Sequence, residues 1–214
     1  MYKTINDLPA GLTKKAPLEY YNRVQEFEDF KGKWDEWEKH KHTNKSYKNR
    51  FLKAFESLKF ESGAAFLELA CQDGKTAFWL AEKHPESKIS VIDAMPEMIK
   101  FVEQINPYSN LCEFVVGNIA DLGKHFKKNS FDLISCIGVV EHLEPDVLHD
   151  MIESSYEILK PRGIMVVFAA KTIQPEHINI MFDLELIDKF EKTGFICTHQ
   201  KPIIGCNFLY FTKG

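Results

Sequence analysis

Apolar residues in the C-terminal two thirds of the chain fall into short runs that recur at regular intervals. Each run is about six residues long and rich in β-branched or aromatic side chains, which is typical of strands covered on both faces of a sheet. The pattern predicts seven strands, at residues 64–69, 88–93, 112–117, 131–136, 163–169, 195–200 and 207–212.

Most of these strands are separated by segments in which apolar residues recur at helical spacing. One helix face starts at Met98, a second runs from Val147 to Leu159, and a third ends at Gly194. Alternation of this kind predicts an α/β fold, a Rossmann-like, doubly wound and mostly parallel seven-stranded sheet with helices on both faces. Such sheets bind ligands beyond the carboxyl ends of their strands, at the point where the strand order reverses.

The chain divides near residue 62. Residues 1–61 are rich in aromatic and charged side chains and contain two candidate helices, so we predict an N-terminal helical segment ahead of an α/β domain at 62–214.

Composition narrows the range of partners. The 214-residue chain has a net charge of −4, so it offers no general attraction to nucleic acid or acidic lipid. No run reaches the roughly 18 apolar residues of a membrane span, and the N-terminus lacks a secretory apolar region. The five cysteines form no zinc-type spacing. We therefore expect a cytoplasmic protein without a metal site, a nucleic-acid partner or a membrane span.

The segment after the first strand is the first candidate for a ligand-binding loop. Residues 68–74 join an apolar strand to a helix through Asp73-Gly74, where a nucleotide-like ligand needs a tight turn and a helix N-terminus. Asp93, at the end of the second strand, could accept hydrogen bonds from both hydroxyls of a ribose.

This segment resembles the first motif of class I methyltransferases, Glu/Asp-x-Gly-x-Gly-x-Gly. Glu68, Ala70, Gln72 and Gly74 stand at its four defined positions, so the acidic residue and the last glycine match. The position of Gln72 runs close to the ligand in that family and favours a positive φ. A nicotinamide-binding domain would require Gly-x-Gly-x-x-Gly, which is absent.

Later motifs extend the resemblance from about residue 62 to residue 212. Residues 90–99, 117–121, 129–143 and 159–165 resemble the family's segments around its second to fifth strands, in the right order. The resemblance implies S-adenosylmethionine as cofactor, with S-adenosylhomocysteine as product. The cofactor-binding residues that it implies are Glu68, Ala70, Gln72, Gly74, Asp93, Ala94, Met95, Asn118, Ile119 and Ile137.

The segment at 129–143 is most similar to small-molecule methyltransferases, so we expect O- or N-methylation of a small acceptor. His142 and His177 are the candidate bases, because a free imidazole has a pKa near 6.5. His142 could instead order its loop or contact the cofactor, and His177 could pair with Asn179. The substrate contacts that we predict come from Asn179 and from an N-terminal lid, through Tyr20, Tyr21 and Trp34. These three aromatic rings could instead only anchor the N-terminal segment to the domain. The alternative is a non-catalytic protein that binds S-adenosylmethionine or S-adenosylhomocysteine or acts as a scaffold.

Overall fold

The computed structural model describes residues 53–171, 177–203 and 206–214. Seven strands form one sheet. They are β1 (Ala65–Leu69), β2 (Lys88–Asp93), β3 (Leu111–Val116), β4 (Phe131–Ile137), β5 (Leu159–Phe168), β6 (Phe195–Ile203) and β7 (Cys206–Lys213). The predicted strands all appear, with ends that differ by a few residues.

Four α-helices occur in the described residues, α1 (Lys75–Lys83), α2 (Pro96–Ile105), α3 (Pro145–Ile158) and α4 (Asp183–Thr193). Pro96 and Pro145 stand in the first turns of their helices, where a missing N–H costs nothing. Gly194 ends α4 with a φ of 107°, a left-handed conformation that suits glycine. Two 3-10 helices, Ile119–Lys124 and Val140–His142, follow β3 and β4.

The strand order is β3-β2-β1-β4-β5-β7-β6. Strands β1 to β5 pair in parallel, and β7 pairs antiparallel with both β5 and β6. The predicted mostly parallel seven-stranded sheet is confirmed. The order reverses between β1 and β4, so the loops after these two strands flank the switch point where a ligand is expected.

Two apolar clusters cover the two faces of the sheet. Alternate residues of β1 point to opposite faces, so Leu67 and Leu69 join one cluster while Phe66 joins the other. The first cluster includes Phe190 of α4, whose ring stacks on Phe211 of β7 at a centroid distance of 4.1 Å. Helices on both faces thus bury the inner strands and hold the loops at their carboxyl ends in place.

Two local predictions were wrong. Leu159 was assigned to the face of α3 but is the first residue of β5, because its ψ of 137° ends the helix. Residues 160–163 then bulge out of the β4–β5 pairing, with Arg162 at a φ of 63°. Strand β3 is not covered on both faces: it lies at the edge of the sheet, and Val116 is 48% exposed.

Most of the predicted N-terminal segment, including Tyr20, Tyr21, Trp34 and Trp37, lies outside the described residues. Its described end packs on the domain: the Phe55 ring contacts Trp79 of α1, and the Tyr210 hydroxyl donates to the Ala54 carbonyl at 2.8 Å. Within the described ranges, no helix is both long enough and apolar enough to cross a membrane.

Candidate active site

The loop after β1 is held in an unusual backbone conformation. Ala70 and Gln72 have φ values of 50° and 44°, and Gly74 has a φ of 71°. Left-handed backbone costs a non-glycine residue about 1–2 kcal/mol. The loop therefore keeps the shape that glycines would favour, although two of its three left-handed positions carry side chains. At Gly74 the requirement is also steric, because a Cβ would lie 2.9 Å from Val102 Cγ1.

The side chain of Glu68 supports this loop through a hydrogen bond to the helix that follows it. The side chain is buried, and its Oε2 accepts a hydrogen bond from the backbone N–H of Ala77, in the first turns of α1, at 2.8 Å. Burial raises the pKa of Glu68 to about 8, against the opposing effect of hydrogen bonds from Thr76 and Ala77. Glu68 thus supports the loop through α1, and the cofactor role predicted for it stays a prediction.

Asp93 joins the first two strand ends. Its Oδ2 accepts from the backbone N–H of Gln72 at 3.1 Å, and its Oδ1 accepts from the N–H of Met95 at 2.9 Å. Burial raises its pKa to about 6, which backbone hydrogen bonds partly oppose. Each carboxylate oxygen has a second lone pair, so the ribose hydroxyls predicted to bind here still have acceptors. This buried carboxylate fits a ribose-bearing cofactor.

The residues that the resemblance places beside the adenine follow β2 and β3. Met95 and Ile119 are buried, and Ala94 is partly exposed. The Asn118 side chain accepts from the backbone N–H of Ala120 at 3.0 Å and so caps the 3-10 helix Ile119–Lys124. That bond uses one lone pair of Oδ1, which leaves a second for the predicted contact with an adenine amino group.

The segments after β4 and β5 bring the two candidate bases together. The imidazole rings of His142 and His177 meet edge to face with centroids 4.8 Å apart, although 34 residues separate them in the chain. Ile137, at the end of β4, is partly exposed beside this loop. Gly138 follows with a φ of 68°, and its N–H donates to the Phe168 carbonyl at the end of β5.

Glu141 connects the two histidine segments. Its backbone carbonyl accepts from the N–H groups of Ile178 and Asn179 at 2.8 and 3.1 Å, and its Oε1 accepts from the N–H of Ala170 at 3.0 Å. The residue is buried, and desolvation raises the pKa of its carboxyl. The position of Glu141 directly before His142 in the sequence predicts that it caps or braces this loop rather than acts on substrate, and these hydrogen bonds fit that prediction.

The chain resembles known methyltransferases in both sequence and fold. Residues 66–163 match the family model described as "Methyltransferase domain". O-methyltransferase 3 of Dictyostelium discoideum is 26% identical over 58% of this chain and 30% of its own length. The tRNA N(3)-cytidine methyltransferase METTL6 of Homo sapiens is 30% identical over 63% of this chain and 50% of its own length. The chain thus spans between about a third and a half of these curated relatives.

Solved structures share the fold at low identity. The methyltransferase in the Haloferax volcanii complex with the Trm112 activator superposes with a TM-score of 0.71, at 16% identity, over 91% of this chain and 97% of that one. A Haemonchus contortus phosphoethanolamine N-methyltransferase 2 in complex with S-adenosyl-L-methionine gives a TM-score of 0.65 at 13% identity, over 78% and 53%. Residues 66–163 are therefore similar to a methyltransferase domain, and the described residues share the fold of these solved methyltransferases.

Proposed function

We propose that this protein is a methyltransferase that transfers the methyl group of S-adenosylmethionine to an oxygen or nitrogen atom of a small-molecule acceptor. The observation that carries the proposal is the edge-to-face contact between the rings of His142 and His177. His142 follows β4 and His177 follows β5, and β4 borders the switch point of the sheet. Neutral imidazole suits proton removal from a hydroxyl or ammonium group at neutral pH.

The residues around β1 and β2 fit the cofactor. The left-handed loop at Ala70 and Gln72 supports close approach of the cofactor to the backbone, and the buried Asp93 carboxylate suits its ribose. Bound S-adenosylmethionine supplies an electrophilic methyl group on a sulfonium sulfur. The protein's contribution is to hold the acceptor in line with that methyl and to exclude water.

A hydroxyl acceptor must lose its proton when its oxygen is methylated, so a base has to accept that proton. His142 would take the proton that the acceptor hydroxyl loses on methylation. Glu141 acts as a positioning residue, since its carbonyl holds the backbone at Ile178 and Asn179 and so sets where His177 lies. We propose substrate contacts for Asn179, whose side chain is only partly exposed beside this pair.

A tRNA acceptor is the second candidate. Two relatives, at 30% and 29% identity, are named as tRNA cytidine methyltransferases. The net charge of −4 weighs against RNA binding by this chain alone, because phosphate contacts need clustered lysine and arginine.

The test offers both acceptor classes to one protein preparation. The full chain is incubated with S-adenosylmethionine labelled on its methyl group, together with either a small-metabolite extract or bulk tRNA. We expect label in the small-metabolite fraction. Label in the tRNA instead would overturn the small-molecule acceptor, and tight binding of S-adenosylhomocysteine with no transfer to either fraction would support the non-catalytic alternative.

A further inference from the structure

A carboxylate and two imidazoles converge beside the proposed acceptor position. Glu141, His142 and His177 each offer one ligand atom, and these three atoms lie within 4.8 Å of one another. Glu141 and His142 belong to the 3-10 helix after β4, whereas His177 belongs to the segment after β5. The tertiary fold, rather than chain proximity, therefore assembles the set.

The Glu141 carboxylate is incompletely satisfied. Only 2% of this residue is exposed, yet its Oε2 has no hydrogen-bond partner among the described residues. A buried carboxylate oxygen without a donor is costly, and buried charges are normally paired or bound to a metal. A cation bound at this oxygen would remove the cost.

The scaffold that holds the three groups is already ordered by backbone bonds. The Glu141 carbonyl accepts from Ile178 and Asn179, directly after His177, and Oε1 accepts from Ala170 at the end of β5. Ligands around a tetrahedral ion with bonds of ~2 Å lie about 3.3 Å apart. Small side-chain rotations would close the remaining gap without movement of this backbone.

We propose that Glu141, His142 and His177 form a site for a divalent transition-metal ion, with Zn²⁺ as its reference occupant. Two histidines and one carboxylate suit Zn²⁺ or Fe²⁺ rather than Mg²⁺ or Ca²⁺, which prefer all-oxygen sets. Three protein ligands leave at least one position open. An acceptor oxygen bound there would lose its proton to solvent more readily, because the ion stabilises the oxyanion.

This inference rests on the proposed function for its chemical role, but the metal site can be tested separately. With an ion bound, His142 is a ligand, and the ion rather than an imidazole base promotes loss of the acceptor's proton. In the metal-free protein, His142 keeps the role of base.

The test titrates EDTA-treated full chain with Zn²⁺ by calorimetry, and with Co²⁺ by visible absorption, which reports ligand geometry. We expect one equivalent of Zn²⁺ to bind to the wild type. Glu141→Gln, which keeps the acceptor for Ala170, and His177→Ala should each weaken binding on the order of 100-fold. His149→Ala is the matched control, because His149 is an exposed histidine on α3.

Two results would overturn the site: no stoichiometric Zn²⁺ binding to the wild type, or equal affinity in wild type and His177→Ala. Circular dichroism of each variant establishes that it is folded. S-adenosylhomocysteine binding, measured on the same samples, separates the two proposals. If the wild type binds S-adenosylhomocysteine but not Zn²⁺, only the metal site is overturned. If the wild type does not bind S-adenosylhomocysteine, the proposed function is overturned.

Discussion

The carboxylate of Asp93 accepts a hydrogen bond from the backbone N–H of Gln72 across 3.1 Å, from the end of β2 to the loop after β1. Gln72 has a φ of 44°, so this bond helps to hold a side-chain-bearing residue in a left-handed conformation. One carboxylate thus supports the shape of the loop and is also the proposed acceptor for the cofactor's ribose.

Removal of that carboxylate should weaken cofactor binding. Asp93→Ala loses a charged acceptor and is expected to reduce S-adenosylhomocysteine affinity by about 2–3 kcal/mol, measured by calorimetry. Asp93→Asn should lose less, because its amide oxygen can still accept one bond. Asp188→Ala, at an exposed aspartate of α4, is the control and should bind normally. Wild-type affinity in Asp93→Ala would refute the ribose assignment.

Glycine at position 72 should stabilise the protein. Gln72→Gly removes the cost of a Cβ at positive φ and is expected to raise the free energy of unfolding by about 1 kcal/mol, measured by urea denaturation. The control, Gln104→Gly, places glycine at an exposed position of α2 and should lower the same quantity by about 1 kcal/mol. A loss of stability in both variants would mean that the loop is not strained at Gln72.

Stability should fall as pH rises through the titration range of Glu68. Its folded pKa of about 8 lies above the ordinary value of 4.5, because burial disfavours the carboxylate. Below pH 4.5 the carboxyl is protonated in both states and its contribution is fully present. Between there and about pH 8, ionisation favours the unfolded chain, so the contribution is progressively lost.

Glu68→Gln isolates this effect because an amide does not ionise. Its free energy of unfolding should decline less than that of the wild type between about pH 5 and about pH 8.5, measured by urea denaturation. Some decline remains in the variant, since Asp93 titrates near pH 6. Parallel profiles for the two proteins would show that Glu68 is not protonated when buried.

Loss of the His142 imidazole should slow methyl transfer without affecting cofactor affinity. His142→Ala is expected to lower turnover about 10²- to 10⁴-fold, measured as S-adenosylhomocysteine release with the acceptor identified in the labelling experiment. His149→Ala should turn over normally. Full activity of His142→Ala would exclude the imidazole from proton removal, whereas a proportional loss of cofactor binding would reassign it to the cofactor site.

The sequence predicted the class of fold because its evidence is local. Short apolar runs predict strands, and apolar residues at i, i+3 and i+4 predict helices, whatever the rest of the fold that buries them. Asp93 and Gly74 could also be named from sequence, because Asp93 ends a strand and Gly74 follows one, each at a defined point of a motif. The exposure of β3 could not be predicted from the sequence, because whether a strand lies at the edge of the sheet depends on the strand order.

Sequence by itself determined the order of the elements, the candidate cofactor loop and the two histidines as separate candidates. The motif resemblance already favoured a positive φ at Gln72, but only the tertiary structure showed that a bond to Asp93, on another strand, helps to hold it there. The tertiary structure alone decided that Glu141, His142 and His177 meet, because parallel pairing of β4 and β5 brings the segments after these strands to the same edge of the sheet.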